Sequence, residues 1–269
     1  MKNILFFGCG KMGSIIANNL LEEKTALASQ IKVVKPSRKN RIPSLEYFKN
    51  IKELPKNYQA DLVFLAIKPQ DSEKSLSELA QSLALHKDTI LISILAGKKI
   101  DFLEKIFGEK SKIIRSMPNL PIQDSQGIIT YFCNRNIKES ELKKLEKIFS
   151  KFGSSYKLPD ENLFDAATAI FGSGPAYIFL LEEIFTEIAL SYKIDKKQTK
   201  ELVKRLFLGS SLMSANSDLE FSELRKSVTS KGGTTALALE VLQKNSALKN
   251  ILKKAIDAAK KKSSQLAKQ

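Results

Sequence analysis

Phe7-Gly8-Cys9-Gly10-Lys11-Met12-Gly13 is the stretch that decides the fold. It follows the apolar run Ile4-Leu5-Phe6-Phe7 and opens an apolar-periodic segment from Lys11 to Glu23, so it reads as strand, turn and helix. In a G-x-G-x-x-G turn so placed, the first glycine makes the tight bend. The second lets backbone approach a pyrophosphate, and the third lets helix and strand pack closely. The helix start then offers unpaired N–H groups and a positive dipole end to phosphate oxygens. Further apolar runs at Ile31–Val34, Leu62–Ala66, Ile90–Leu95 and Lys112–Ile114 alternate with helical patterns. That is the signature of a parallel sheet covered on both faces. Gly127–Phe132 and Ser154–Leu158 read as extra strands flanking a charged helix over Lys138–Lys151. The fold class expected is α/β, with a Rossmann-type parallel-sheet domain over residues 1–160.

Beyond residue 160 the strand signals stop. Apolar residues recur at helical spacing over Pro175–Tyr192, and Asp195 reads as the N-cap of a helix reaching Ala215. A short helix at Phe221–Val228, a Gly-Gly loop and a helix from Thr235 follow, before a lysine- and alanine-rich end from Ile251 to Gln269. The expectation is an all-α C-terminal domain over 161–269 that buries part of its apolar face in a second subunit, giving a homodimer that a larger ring could assemble from.

Composition excludes several classes. The chain has 269 residues, 43% hydrophobic and 27% charged, which suits two domains with a sizeable core. Lys plus Arg exceeds Asp plus Glu by 44 to 29, a net charge of +15. The lysines are scattered and accompany no nucleic-acid motif, so they read as solvated helix faces and no nucleic-acid partner is expected. With His86 the single histidine and Cys9 and Cys133 the two cysteines, neither a histidine metal site nor a disulfide framework can be assembled. His86 reads as a solvated loop residue, and no G-x-S-x-G turn offers it a serine. The first apolar run is too short for a signal peptide, and the uncharged stretch Ala166–Leu181, 16 residues, falls short of a membrane span. A soluble cytoplasmic protein without a membrane partner is expected.

The end of the second strand bears on the choice of dinucleotide. An acid there would accept from ribose hydroxyls, but Val33-Val34-Lys35-Pro36-Ser37-Arg38-Lys39-Asn40-Arg41 has none. Basic groups and a hydroxyl suit a 2′-phosphate, making NADPH the expected donor with NADH as the alternative; otherwise the segment is a solvated basic loop. Ala66-Ile67-Lys68-Pro69 falls at the C-terminal end of a strand, where ligands sit in open α/β sheets. Arg115-Ser116-Met117-Pro118-Asn119-Leu120-Pro121 brackets an asparagine with prolines after another strand. Ser230-Lys231-Gly232-Gly233-Thr234-Thr235 reads either as a carboxylate cradle at a helix start or as a well-capped helix.

GCGKMG, AIKP, SILAG, RSMPNLP, FGSGPAYIF and SKGGTT stand in the order and spacing of the pyrroline-5-carboxylate reductases, and the chain resembles that family over its whole length. The resemblance implies reduction of the cyclic imine of 1-pyrroline-5-carboxylate to proline by NAD(P)H. It also implies a Rossmann domain followed by an interlocking helical dimer domain. Carried over, it places the pyrophosphate turn on Phe7, Gly8, Cys9, Gly10, Lys11 and Met12, and the adenosine-phosphate contact on Lys35, Ser37 and Arg38. Further cofactor contacts fall on Asn50, Ala66, Ile67, Lys68, Pro69, Ile94, Ala96 and Ser227. Substrate contacts fall on Asp218, Gly232, Gly233, Thr234 and Thr235. A protonated cyclic imine brings its own activating proton, so the protein's task is positioning. The catalytic candidate is Thr235, with its hydroxyl on the ring nitrogen.

The sequence departs from the family pattern at Lys226, Lys231, Leu120 and Phe171, where an Asp, a Pro, a Thr and a Ser are usual. These changes keep open a non-catalytic NADPH-binding relative, or a reductase of a different cyclic imine. A hydroxyacid dehydrogenase is disfavoured because Asp165–Tyr192, which should carry its catalytic lysine, contains none.

Overall fold

The structure, a computed structural model, describes residues 3–37, 39, 41–67, 72–82 and 84–266. The chain forms two compact units, one holding the chain up to Ser173 together with the part from Ala259 onward, the other Gly174–Ala258. The sequence suggests a border at 160/161. In the structure the first unit runs on through a short helix and a π-helix and takes back the chain's end.

Eight strands make the first unit's sheet: β1 (Ile4–Phe7), β2 (Ile31–Val34), β3 (Glu46–Phe48), β4 (Leu62–Leu65), β5 (Ile90–Ser93), β6 (Lys112–Pro118), β7 (Gly127–Cys133) and β8 (Gly153–Lys157), in the order β3-β2-β1-β4-β5-β6-β7-β8. From β3 to β6 every pairing is parallel, but β7 runs antiparallel to β6 and β8 parallel to β7. The reversal has a local cause. A parallel crossover needs a dozen or more residues, whereas the short 3₁₀ segment Leu120–Asp124 permits only a return beside β6.

Alternation along β1 sends Ile4 and Phe6 to one face and Leu5 and Phe7 to the other. The helices α1 (Lys11–Glu22) and α4 (Glu139–Phe149) cover the first face through Ile16, Leu20, Leu142 and Leu145. The opposite face is covered by α2 (Ser72–Ala80) and α3 (Ile100–Phe107), through Leu76, Leu79, Ile100 and Leu103. This two-faced cover is why the strands read as unbroken apolar runs.

After β8 come α5 (Phe164–Ala167) and a π-helical turn, Thr168–Gly172. The second unit contains α6 (Gly174–Ser191), α7 (Lys196–Ala215), α8 (Phe221–Ser227) and α9 (Thr234–Gln243); α10 (Ala247–Leu266) starts there and ends in the first unit. Asp195 caps α7 as its sequence predicts, its Oδ1 accepting from Lys197 N and Gln198 N at 3.0 Å each. Phe185 and Phe207 join α6 to α7 edge to face at 5.6 Å. Many large apolar side chains of this unit are exposed, Phe179, Leu206 and Leu212 among them. One expectation is corrected here: the helical run Glu161–Ser191 is long and apolar enough to cross a membrane by length and composition alone. The uncharged stretch is short, yet helix continues on both sides of it.

Candidate functional site

The turn after β1 has the geometry its glycines imply. Gly8 adopts φ +83°, and a Cβ there would stand 2.6 Å from the Ala66 backbone, so only glycine fits. Gly8 N donates to Val34 O at 2.9 Å and Ala66 N to Phe7 O at 2.8 Å, tying the turn to the ends of β2 and β4. Gly13 packs α1 against Ala66, where a Cβ would meet the alanine methyl at 3.2 Å. Gly10 differs: it is exposed, and a Cβ there meets no atom of the described residues within 4 Å. It is also the N-cap of α1, and no side chain caps that helix. The first-turn N–H groups therefore point into open space, the arrangement that receives an anion.

Around this turn lies a cleft of about 1270 Å³ lined by Gly8 to Gly13, Lys35, Pro36, Ser37, Ala66, Ile67, Ile94 and the first turn of α2. The sheet's strand order places it at the C-terminal ends of β1, β2, β4 and β5, where doubly wound sheets hold their ligands. A dinucleotide fits the residues present, because Gly10 leaves room at an uncapped helix start and the rim carries cations. Cys9 is buried and its thiol is pushed up to about 11, mainly by burial, with Lys35 acting in the opposite direction. It packs the turn as a small apolar residue.

Several described residues of the basic segment bond to one another. Lys35 is buried and its Nζ donates to Lys39 O at 2.6 Å, so part of its hydrogen-bonding capacity shapes the loop. Ser37 is exposed and its Oγ accepts from Lys39 N at 3.2 Å. Tyr47 anchors the loop's far end, accepting from Ile42 N at 2.8 Å under the Arg41 guanidinium, 4.7 Å from its ring. Arg38, Lys68 and Pro69 lie outside the described residues.

Some expected contacts are not brought to the cleft. Asn50 spends its side chain locally, accepting from Lys52 N at 3.0 Å and donating to Glu53 Oε1 at 3.0 Å, as the cap of a 3₁₀ turn. Phe7 closes β1 as a buried core residue, and Ala96 is half-buried in the loop after β5; neither lines the cleft. Conversely, Glu73, Lys74 and Ser75 line it unanticipated. Their signal was an acidic first turn following the Ala66–Pro69 stretch. His86 is half-buried rather than solvated, with Nε2 3.9 Å from Asp61 Oδ1 and Nδ1 accepting from Asp88 N at 3.2 Å.

The expected substrate residues lie in the second unit. Gly232 has φ +71°, and Gly233 is the N-cap of α9 without any side-chain cap, so Thr234 and Thr235 occupy an open first turn. The loop is braced from within by Gly233 N donating to Ser230 O at 3.1 Å. Lys231, Thr234 and Thr235 are exposed, as is Asp218 between α7 and α8. Ser227 ends α8 with its hydroxyl donating to Leu224 O at 2.8 Å. Leu120 packs its side chain against the core, which accounts for an apolar residue there.

A doubly wound sheet with this turn and cleft, followed by a helical unit, defines a dinucleotide-binding protein. Residues 161–266 match the family "Pyrroline-5-carboxylate reductase dimerisation" and residues 3–97 the family "NADP oxidoreductase coenzyme F420-dependent". The pyrroline-5-carboxylate reductase of Pseudomonas aeruginosa is 31% identical, with 99% of this chain and 97% of that protein covered. That of Haemophilus influenzae is 34% identical over 89% of each. The crystal structure of Plasmodium falciparum pyrroline carboxylate reductase with NADP bound superimposes with a TM-score of 0.87 at 31% identity, covering 98% of both chains. The chain belongs to the pyrroline-5-carboxylate reductase family.

Proposed function

We propose that the protein reduces 1-pyrroline-5-carboxylate to L-proline with NADPH, the closing step of proline biosynthesis. The observation that carries this reading is the likeness to reductases along nearly the full chain, in both halves and in order. The nicotinamide cofactor, when bound, supplies the hydride for the imine carbon. The first turn of α1 and the open face of Gly10 receive its pyrophosphate, and Ser37 with the Lys35–Arg41 loop receives the adenosine phosphate. The Gly232–Thr235 backbone holds the substrate carboxylate at the start of α9, where N–H groups and helix dipole favour an anion. Thr235 places its hydroxyl on the ring nitrogen, and Asp218 stands at the substrate's polar side. The substrate arrives as its iminium, so no side chain must donate a proton for hydride addition. Orientation of this kind lowers a barrier by about 7–11 kcal/mol.

The working form is a homodimer in the cytoplasm, a unit that a larger ring would repeat. Support comes from the dimerisation family matched over 161–266 and from the exposed apolar faces of the same helices. A partner subunit covering them accounts for the apolar run Glu161–Ser191 without a membrane.

The test is loss of NADPH absorbance when pyrroline-5-carboxylate is added to purified protein, with NADH run in parallel. Turnover favouring NADPH supports both the reaction and the basic loop as a phosphate site. Equal or better turnover with NADH discards the role of Lys35 to Arg38, and no turnover despite NADPH binding sinks the reaction.

A further inference from the structure

We infer that Glu161, held by Arg115, is a positioning residue for NADPH binding: it fixes the far end of the loop whose near end lines the cofactor cleft. The inference rests on reading that cleft as the NADPH site.

The loop runs from Ile94 to Lys99, between β5 and α3. Its near end is tied to the sheet by Ile94 N donating to Leu65 O at 3.1 Å, and Ile94 lines the cleft. At its far end α3 has no cap from Lys99. Instead Ile100 N donates to Glu161 Oε1 at 3.0 Å, a carboxylate 61 residues further along the chain. The same oxygen accepts from Arg115 Nη1 at 2.9 Å. Arg115 is 2% exposed, its guanidinium lies 4.0 Å from the Phe164 ring centre, and its backbone is the register partner of Ser93, where the loop begins.

Three demands thus converge on one carboxylate. A guanidinium buried this deeply needs an anion beside it. An uncapped helix start favours an acceptor and a negative charge. A short loop with Gly97 at φ +77° takes its course from its two anchors. Arg115 holds Glu161, Glu161 holds Ile100, and the loop returns that constraint to Ile94. Arg115, Glu161 and Ile100 do not line the cleft, so their effect on binding is through the position of Ile94 alone.

The experiment measures the Kd for NADPH by nucleotide fluorescence, alongside melting curves and the KM for pyrroline-5-carboxylate. Glu161→Gln keeps the side chain's shape while removing its charge. Ile100→Pro removes the donated N–H, along with part of a buried side chain, at a first helical position, where proline is tolerated and where Lys99, at φ −80° and ψ 166°, already suits a residue preceding proline. Ile100→Val keeps the N–H and controls for lost packing. Folded Glu161→Gln and Ile100→Pro are expected to raise the NADPH Kd about 5- to 10-fold, with the substrate KM and Ile100→Val unchanged. Parental NADPH affinity in a folded Ile100→Pro overturns the inference, even where Glu161→Gln does not fold. Gly10→Ala separates this from the underlying reading: if it binds NADPH normally, the cleft itself has been misassigned.

Discussion

Asn119 holds the π-helical turn before α6 by its main chain: its Nδ2 donates to Phe171 O at 3.1 Å. Its Oδ1 accepts from Ile128 N at 2.8 Å, so one buried amide clamps β7 and the turn together. A π-turn leaves its carbonyls imperfectly paired, and such turns persist where surroundings hold them. Asn119→Ala removes both bonds from half-buried and exposed backbone groups, for an expected loss of about 1 kcal/mol. Asn119→Asp keeps an acceptor for Ile128 but sets an anion against the Phe171 carbonyl. Denaturant midpoints of the two variants check this, and a midpoint unchanged in Asn119→Ala would remove the clamp.

Gly8 and Gly10 are expected to fail in opposite ways. Gly8→Ala forces a side chain into the Ala66 backbone at positive φ, lowering stability by about 1–3 kcal/mol. Gly10→Ala meets no atom of the described residues, so its melting temperature should match the parent while NADPH affinity drops about tenfold or more. Melting curves and nucleotide titration of both variants separate a folding role from a binding role.

Lys112 makes stability depend on pH at both extremes. Its Nζ donates to Asp88 Oδ1 at 2.9 Å and Glu141 Oε1 at 2.7 Å. Those bonds, that of Glu141 first, hold the ammonium above its ordinary 10.5. Burial pushes Glu141 up, but the Lys112 and Lys138 N–H bonds outweigh it and leave the carboxyl below 4.5; the Lys112 bond holds Asp88 below 3.8. The depressed carboxylates contribute fully above their ordinary values and lose that contribution as pH falls through the lowered ones. The raised lysine contributes fully below 10.5 and loses its part as pH rises through the higher value. Lys112→Met should therefore lower stability by about 1–2 kcal/mol at neutral pH, with the gap closing in acid and in strong base. Melting temperatures across that range decide it, and a gap constant with pH would contradict the prediction.

Cys9 should resist alkylation. A thiol held at about 11 is thiolate in only about one molecule in a thousand at pH 8, and this one is also buried in a turn. Cys133, half-buried, should take iodoacetamide first. Peptide mass mapping over a time course gives the order, and faster labelling at Cys9 would show that the turn opens.

Much of this was legible in sequence because the signals are local. The glycine turn, β1 and its helix, and the Asp195 cap each depend on neighbours within a few residues. The misses involve partners set by tertiary structure. The edge strand β3 has only three residues, too few for periodicity to register. Lys35 looks like a free phosphate ligand until the loop turns its ammonium toward Lys39 O. Asn50 likewise sits in a plausible place, but its amide is consumed by Lys52 and Glu53. Arg115 and Glu161, 46 residues apart, give no sequence sign of being paired.

The helix α10 carries a consequence for biosynthesis. Asp165 accepts from the hydroxyls of Ser263 and Ser264 at 2.7 Å each, contacts spanning 98 and 99 residues. The dinucleotide-binding half is encoded first, yet it gains its last element only when residues 259–266 have left the ribosome. A nascent chain stalled short of residue 259 would carry the whole glycine turn and sheet while leaving the Asp165 carboxylate without its two serine donors.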